Sequence, residues 1–226
     1  MVEFFQGQPC RRIRIACGDT ALVALQGAHV LSWISGGRER LFLSAANHWD
    51  GHSAIRGGIP VCFPQFNARG SLPRHGFARN MPWRVVNSSQ QAACAQLDCS
   101  LADDDHTRTI WPHAFEARLR ITITPGQLQV TLSVDNHGPS ALFFSGALHT
   151  YLAVEDIAHT RLHGLGAQAE WDALTDTRAP AASTLRFDGE FDRVYAAAAA
   201  PLLLDDGAHP LEITQSPAWS DTVVWN

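Results

Sequence analysis

The sequence predicts an all-β protein, and three features carry that prediction. Phe115, Ala117, Leu119, Ile121 and Ile123 alternate with polar or charged residues. After Pro125-Gly126 the alternation resumes at Leu128, Val130, Leu132 and Val134. That is the period-2 signature of an antiparallel hairpin with one buried face. Asn136-His137-Gly138-Pro139 then turns the chain toward a third extended segment, and such a meander belongs to a sandwich or barrel rather than to a βαβ fold. The opening third, finally, is built of short alternating units joined by glycine turns.

Taken in order, Ile13 and Ile15 alternate with Arg12 and Arg14 on a half-buried strand. Segments 21–25 and 30–34 follow as strands around Gln26-Gly27-Ala28-His29, and Gly36-Gly37 turns toward Leu41, Phe42 and Leu43. His29 is expected to bond to backbone at this turn. Residues 55–83 cannot form a regular helix or central strand, because four prolines remove donors and the glycines invite bends. They predict a long structured loop laid on a rigid scaffold. Strands are expected again at 83–86 and 92–101, and Asp103-Asp104-Asp105-His106 is expected to be a solvated turn without calcium-loop spacing. Segment 141–152 is the third meander strand. Residues 171–176 are polar without a period, whereas 191–195 are extended. The alanines at 196–200 are too few to nucleate a helix before Pro201. Leu202, Leu203 and Leu204, then Leu211 to Thr214, predict another hairpin. Nothing marks a linker or repeat, so one domain spanning 1–226 is expected.

The chain has 226 residues, a formal net charge of −5 and 46% hydrophobic residues. It is long enough to bury a sizeable core. Its acidic balance offers no general attraction to nucleic acid or to an anionic membrane, so neither is an expected partner. No apolar run approaches a membrane span. The start, MVEFFQGQPCRRIRI, lacks the apolar core of a secretory signal. Five cysteines without a CxxC pair predict free thiols in a reducing compartment, and hence a cytoplasmic protein.

Two places carry chemistry. Within the long loop, Arg56, Arg74, His75 and Arg79 suit an anionic, hydroxyl-rich ligand, since arginine presents a planar fork of donors and keeps its charge. In segment 141–152, an extended chain places Phe143, Ser145, Ala147, His149 and Tyr151 on one face. Small residues beside a histidine leave room for a ligand such as a sugar.

RGGIP followed by FPQF, then LPRHGFAR and PW, with LHTY at 148–151 and DRVY at 192–195, resembles the hexose-6-phosphate mutarotases, a branch of the aldose 1-epimerase superfamily. The resemblance implies a twisted antiparallel β-supersandwich of the galactose mutarotase type. It also implies no cofactor or metal, a monomer, and interconversion of the α and β anomers of a phosphorylated sugar. By position, His149 resembles the catalytic acid at the ring oxygen and Asp192 the aspartate that grips sugar hydroxyls. Arg56, Arg74 and Arg79 stand at substrate-binding positions, and His75 is a wall residue reaching a sugar oxygen. The resemblance further implies a general-base glutamate on strands beyond VVWN. Glu155, Glu170, Glu190 and Glu212 do not stand in its motif, so the expectation is that this glutamate and the final strands are missing from the sequence.

A non-catalytic carbohydrate-binding β-sandwich would keep the arginines and aromatics without needing His149 and a base. A metal-dependent isomerase would need a His/Glu ligand set. A phosphatase or kinase would need a P-loop or an aspartyl nucleophile, and neither motif is present.

Overall fold

The structure, a computed structural model, describes residues 1–166, 168–198 and 200–226. Its contacts divide the chain into two compact units, Met1–Ala153 and Val154–Asn226. Every strand ladder joins strands of the same unit, which is why contacts concentrate within each.

The first unit opens with β1 (Glu3–Phe5), β2 (Gln8–Arg14), β3 (Thr20–Ala24), β4 (His29–Ser35) and β5 (Arg38–Glu39), an antiparallel sheet in sequence order. The long loop contributes the short β6 (Val61–Cys62) and a single 3-10 turn, Ala78–Asn80. A second sheet follows from β7 (Arg84–Gln90), β8 (Ala95–Ala102), β9 (Phe115–Thr124) and β10 (Gln127–Asn136), in the order β10-β9-β8-β7. The predicted hairpin pairs Thr124 with Gln127 and runs to Phe115 opposite Asn136. All five apolar residues of β9 are fully buried, whereas those of β10 are only half-buried, because β10 is the outermost strand of its sheet. Phe63, buried in the loop, meets Trp111, Phe115 and Phe144 edge to face at 5.1–5.5 Å between centroids. This aromatic cluster fastens the loop to the second sheet.

Asp103 to His106 do more than make a solvated turn. Asp104 caps the helix α1 (Asp105–Ile110) through a reciprocal box with Thr107, and Asp103 accepts from Phe115 N–H at 2.8 Å. The Asp-rich start is the N-terminal signal of this helix.

Segment 141–152 also departs from the expected long strand. Only β11 (Ala147–Leu148) is regular, paired with β6. Backbone bonds nevertheless continue on both sides. Ser145 N–H donates to the Pro64 carbonyl at 3.1 Å, His149 N–H to Pro60 at 3.0 Å and Tyr151 N–H to Gly58 at 2.8 Å. The facing prolines have no N–H to return, so two of these bonds are one-sided and a regular ladder cannot form. Leu41 and Leu43, expected on a strand, make isolated bridges to Leu152 and Gly57.

The second unit holds two four-stranded sheets. One comprises β12 (Arg161–His163), β15 (Thr184–Leu185), β17 (Leu202–Asp205) and β18 (Leu211–Ile213), in the order β15-β12-β17-β18. The other, in the order β14-β13-β16-β19, comprises β13 (Ala169–Asp172), β14 (Thr177–Pro180), β16 (Asp192–Ala196) and β19 (Asp221–Trp225). The β17–β18 hairpin is the predicted one. The stretch without a visible period at 171–176 is the end of β13 and its turn into β14, whose nearest residues Asp172 and Thr177 pair. Of the alanine run at 196–200, Ala196 ends β16, and Ala199 lies outside the described residues. No helix among the described residues is long and apolar enough to cross a membrane.

Candidate active site

The site in the first unit is set by how the long loop closes. Phe77 N–H and Ala78 N–H both donate to the Phe63 carbonyl, at 3.0 and 3.1 Å. Gly76 makes this closure possible: at φ +67°, a Cβ there would lie 2.1 Å from that same oxygen. Inside the closed segment, Gln65 is buried and pins both limbs. Its amide donates to the carbonyls of Asn67 (3.1 Å) and Leu72 (3.0 Å) and accepts from Leu72 N–H (3.1 Å).

His75 is held by this frame in a left-handed conformation, φ 67°. Its N–H donates to the Asn67 carbonyl at 3.0 Å, and its Nδ1 accepts from Asn67 N–H at 3.3 Å. An accepting Nδ1 places the ring proton on Nε2, so His75 presents a neutral N–H donor. Burial, assisted by the charge of Arg79 and the neighbouring His149 and Arg74, pushes its pKa down to about 4.

His149 is half-buried beside it, with ring centroids 5.8 Å apart and planes at 83°. Tyr151, two residues on and on the same face, stacks on His149 at 4.9 Å. Phe66 closes the group, 5.4 Å from the His75 ring and 6.5 Å from His149. Burial raises the Tyr151 phenol above its ordinary value, against the opposing charges of Arg79 and Arg56. The ring therefore stays protonated at neutral pH and serves as a hydroxyl donor or acceptor.

Arg79 is the electrostatic centre of this cluster. Its backbone belongs to the 3-10 turn, which the Trp83 indole holds through Ala78 O at 2.9 Å. Gly27 sits so close beneath it that a Cβ would lie 2.6 Å from Arg79 O. Arg79 is half-buried, donates from Nη2 to Arg74 O at 3.2 Å, and leaves a buried Nε without a partner. No carboxylate pairs with it among the described residues. Its charge bears on His75, Tyr151 and the buried Cys62 thiol, which burial raises to about 11. A buried, unneutralised guanidinium edge is costly unless an anion or an acceptor meets it.

The remaining predicted residues fall as follows. Arg74 is exposed and joins the cluster through its carbonyl. Arg56 is exposed with its backbone clamped: Arg56 N–H donates to Asn47 Oδ1 at 2.7 Å, and Asn47 Nδ2 donates back to Arg56 O at 2.9 Å. Asp192 belongs to the second unit, at the head of β16 opposite Trp225. Its neighbours Arg193 and Tyr195 point to the other face. There Glu170 accepts from Tyr195 Oη at 2.6 Å and pairs with Arg193 at 2.9 Å, and Arg193 also approaches Asp172 at 3.4 Å. Glu170 is thus a buried structural anchor of the DRVY strand, both oxygens engaged. His29 is fully buried; its Nε2 lies 2.7 Å from Gly57 O, and burial lowers its pKa to about 4.

Phe66, Gln65 and Asn67 were not singled out from the sequence. Phe66 is positioned by Ser145 Oγ, which accepts its N–H at 3.0 Å, a contact between residues 79 apart in the chain. No local pattern announces such a bond. His48/His52 and His159/His163 stand at i, i+4 spacing, yet among the described residues no group of three or more His, Cys, Asp or Glu is arranged to hold a metal ion.

A β-rich protein with two histidines, a tyrosine and a guanidinium gathered in one cluster is equipped to hold a polar, anionic small molecule and move protons on it. A solved structure from Salmonella typhimurium, provisionally described as a mutarotase, has the same fold. It is 30% identical, with a TM-score of 0.89 over 100% of this chain and 76% of that one. The profile of a family described as aldose 1-epimerase matches residues 11–226. The chain belongs to the aldose 1-epimerase family. A protein of Cenchrus ciliaris, provisionally named glucose-6-phosphate 1-epimerase, is 35% identical over 96% of this chain and 68% of its own length. One of Escherichia coli with the same provisional name is 38% identical over 77% of this chain and 59% of its own length. The chain therefore spans between about three-fifths and two-thirds of these relatives.

Proposed function

We propose that the chain takes part in interconverting the α and β anomers of a hexose 6-phosphate, a small-molecule substrate handled without a cofactor. The observation that carries this reading is Arg79: a half-buried guanidinium with an unpartnered Nε, set within the ring cluster of His75, His149 and Tyr151. The provisional names of the relatives agree with it.

In this reading His149 gives its proton to the ring oxygen as the C1–O5 bond breaks, while a base takes the proton of the C1 hydroxyl. The open aldehyde rotates about C1–C2. Closure on the other face, with both protons returned, yields the second anomer. Such positioned transfers are each worth on the order of 10²–10⁴-fold. Imidazole suits the donor role because its ordinary pKa, about 6.5, lies near working pH. His75 has a different task. Neutral at working pH and locked with Nε2–H outward, it donates a hydrogen bond to a sugar oxygen rather than a proton. Tyr151 braces the His149 ring by stacking. Arg79 and Arg56 hold the anionic group, and Arg74 lines the approach. Glu170 is not offered as the base, since Arg193 and Tyr195 occupy it.

The test is anomer exchange in purified glucose 6-phosphate, followed by polarimetry or by magnetisation transfer between the C1 protons. Acceleration that vanishes in His149→Ala, while glucose 6-phosphate still binds, supports the reading. Binding without acceleration by the parent protein would instead identify a carbohydrate-binding module.

A further inference from the structure

Of the four rings gathered at the site, that of Phe66 alone carries no polar atom. It stands 5.4 Å from the His75 ring and 6.5 Å from that of His149, tilted by 58° and 49° to them, and stacks on neither. The residue is half-buried, so part of it stays open beside the two imidazoles. His75, His149 and Tyr151 bring ring N–H and O–H groups, and Arg79 brings its guanidinium. Phe66 adds apolar surface, which beside convergent polar groups grips the non-polar part of a ligand. A pyranose has such a part: its C–H bonds gather on the faces of the ring, where an aromatic face with its negative quadrupole attracts them.

The place of the Phe66 ring is set across the chain. Phe66 N–H donates to Ser145 Oγ at 3.0 Å, and Ser145 N–H donates to the Pro64 carbonyl at 3.1 Å. Ser145 thus clasps residues 64 to 66 with both its backbone and its side chain. Between the two held positions, the buried Gln65 is bonded to Asn67 and Leu72, so the backbone that carries Phe66 is fixed from both sides. Ser145 also belongs to the segment that bears His149, four residues further on. One hydroxyl therefore ties the apolar ring to the segment of the candidate proton donor.

We infer that Phe66 is a substrate-binding residue whose ring takes a C–H face of the pyranose, and that Ser145 is the positioning residue that aims it. The inference rests on the function proposed above and deepens it, by assigning the part of the site that recognises the sugar ring rather than its charge. A platform of this kind discriminates a cyclic sugar phosphate from an open-chain one. Glucitol 6-phosphate carries a phosphate and hydroxyls but has no ring face to offer.

Calorimetric titration of the whole chain with glucose 6-phosphate and glucitol 6-phosphate tests this. Phe66→Ala should weaken glucose 6-phosphate by about tenfold and leave glucitol 6-phosphate nearly unchanged. Phe66→Leu, which keeps apolar bulk and should melt near the parent, should lose most of the same preference, whereas Phe66→Tyr should keep most of it. Ser145→Ala should weaken glucose 6-phosphate by about three- to tenfold, and Ser145→Thr, which retains the accepting oxygen, should recover the loss. Unchanged affinity for glucose 6-phosphate in the Phe66 variants overturns the inference, and so does an equal loss for both ligands, which would make Phe66 a packing residue. A parent protein that binds no glucose 6-phosphate overturns it as well. Full affinity in Ser145→Ala removes the role of Ser145. The expected loss of ring preference, with no anomer exchange by the parent protein, leaves the platform standing and removes the catalytic reading instead.

Discussion

His75 and His149 meet edge to face, 5.8 Å between ring centroids, though 73 residues of chain lie between them. The two imidazoles are not equivalent. Asn67 N–H donates a hydrogen bond to Nδ1 of His75, and burial beside Arg79 keeps that ring neutral. His149 is held by its backbone bond to Pro60 and by stacking on Tyr151. One ring is therefore a fixed hydrogen-bond donor and the other the candidate proton donor, a division of labour set by environment alone.

This division predicts different kinetics for the two. His149→Ala should lower kcat for anomer exchange by about 10²–10⁴-fold with little change in KM, because a proton donor acts in the transition state. A raised KM with normal kcat would show that His149 only binds. His75→Ala should act mainly on KM, by the loss of one hydrogen bond.

Arg79→Ala should weaken binding of a hexose 6-phosphate by about 2–3 kcal/mol, the scale of a hydrogen bond to a charged group. Arg79→Lys should recover little, since an ammonium cannot present the fork that leaves Nε facing inward. Titration calorimetry at two salt concentrations distinguishes charge loss from loss of packing. A lysine variant that binds like the parent would remove the guanidinium geometry from the account.

Gly76→Ala should be among the most damaging small substitutions in the chain. It adds a methyl group where the Phe63 carbonyl stands 2.1 Å away, at a φ of +67°. The combined strain and overpacking are expected to cost about 2–4 kcal/mol. Thermal denaturation and kcat/KM should fall together, because the same closure orients His75. A stable, fully active variant would show that the loop closes by another route.

Stability should fall with acid before the carboxylates titrate. His29 and His75 both have folded pKa values near 4, below the unfolded value of about 6.5. As the pH drops from 6.5, the unfolded chain takes up protons first, so unfolding is favoured progressively down to pH 4. For fully buried His29 the loss amounts to about 3 kcal/mol at most; half-exposed His75 contributes less, because solvent screens it. Urea midpoints measured at pH 7, 5.5 and 4.5 should therefore decline, with a shallower decline in His29→Gln. A flat profile across that window would show that neither ring is held neutral.

In the second unit, Tyr195→Phe removes the hydroxyl that donates to Glu170 at 2.6 Å inside a nearly inaccessible pocket. A destabilisation of about 1–3 kcal/mol is expected from the unsatisfied carboxylate oxygen. The same variant combined with Arg193→Met should lose less than the sum of the two, since both partners serve one carboxylate. Additive losses would mean that the two bonds are independent.

What the sequence determined by itself was local. The alternation at 115–134 specified β9 and β10 because side-chain direction in a strand repeats every two residues, and that rule needs no partner. The proline- and glycine-rich composition of 55–83 specified a loop for equally local reasons, and the arginines and His75 within it are the local basis for proposing a ligand surface there. The resemblance of its motifs to the hexose-6-phosphate mutarotases pointed to the same family as the profile match. Other features were beyond local reading. Segment 141–152 looked like one long strand, but the residues facing it include Pro60 and Pro64, which cannot donate, and only the tertiary pairing reveals this. The helix at Asp105–Ile110 was hidden behind a run of carboxylates whose capping role depends on Thr107 returning the bond. The tautomer of His75, the unpartnered Nε of Arg79 and the placing of Phe66 by Ser145 all depend on groups distant in sequence. Hydrogen-bond satisfaction and burial are properties of the packed chain, so the residue types of the site were legible beforehand while their protonation and aim were decided only by folding.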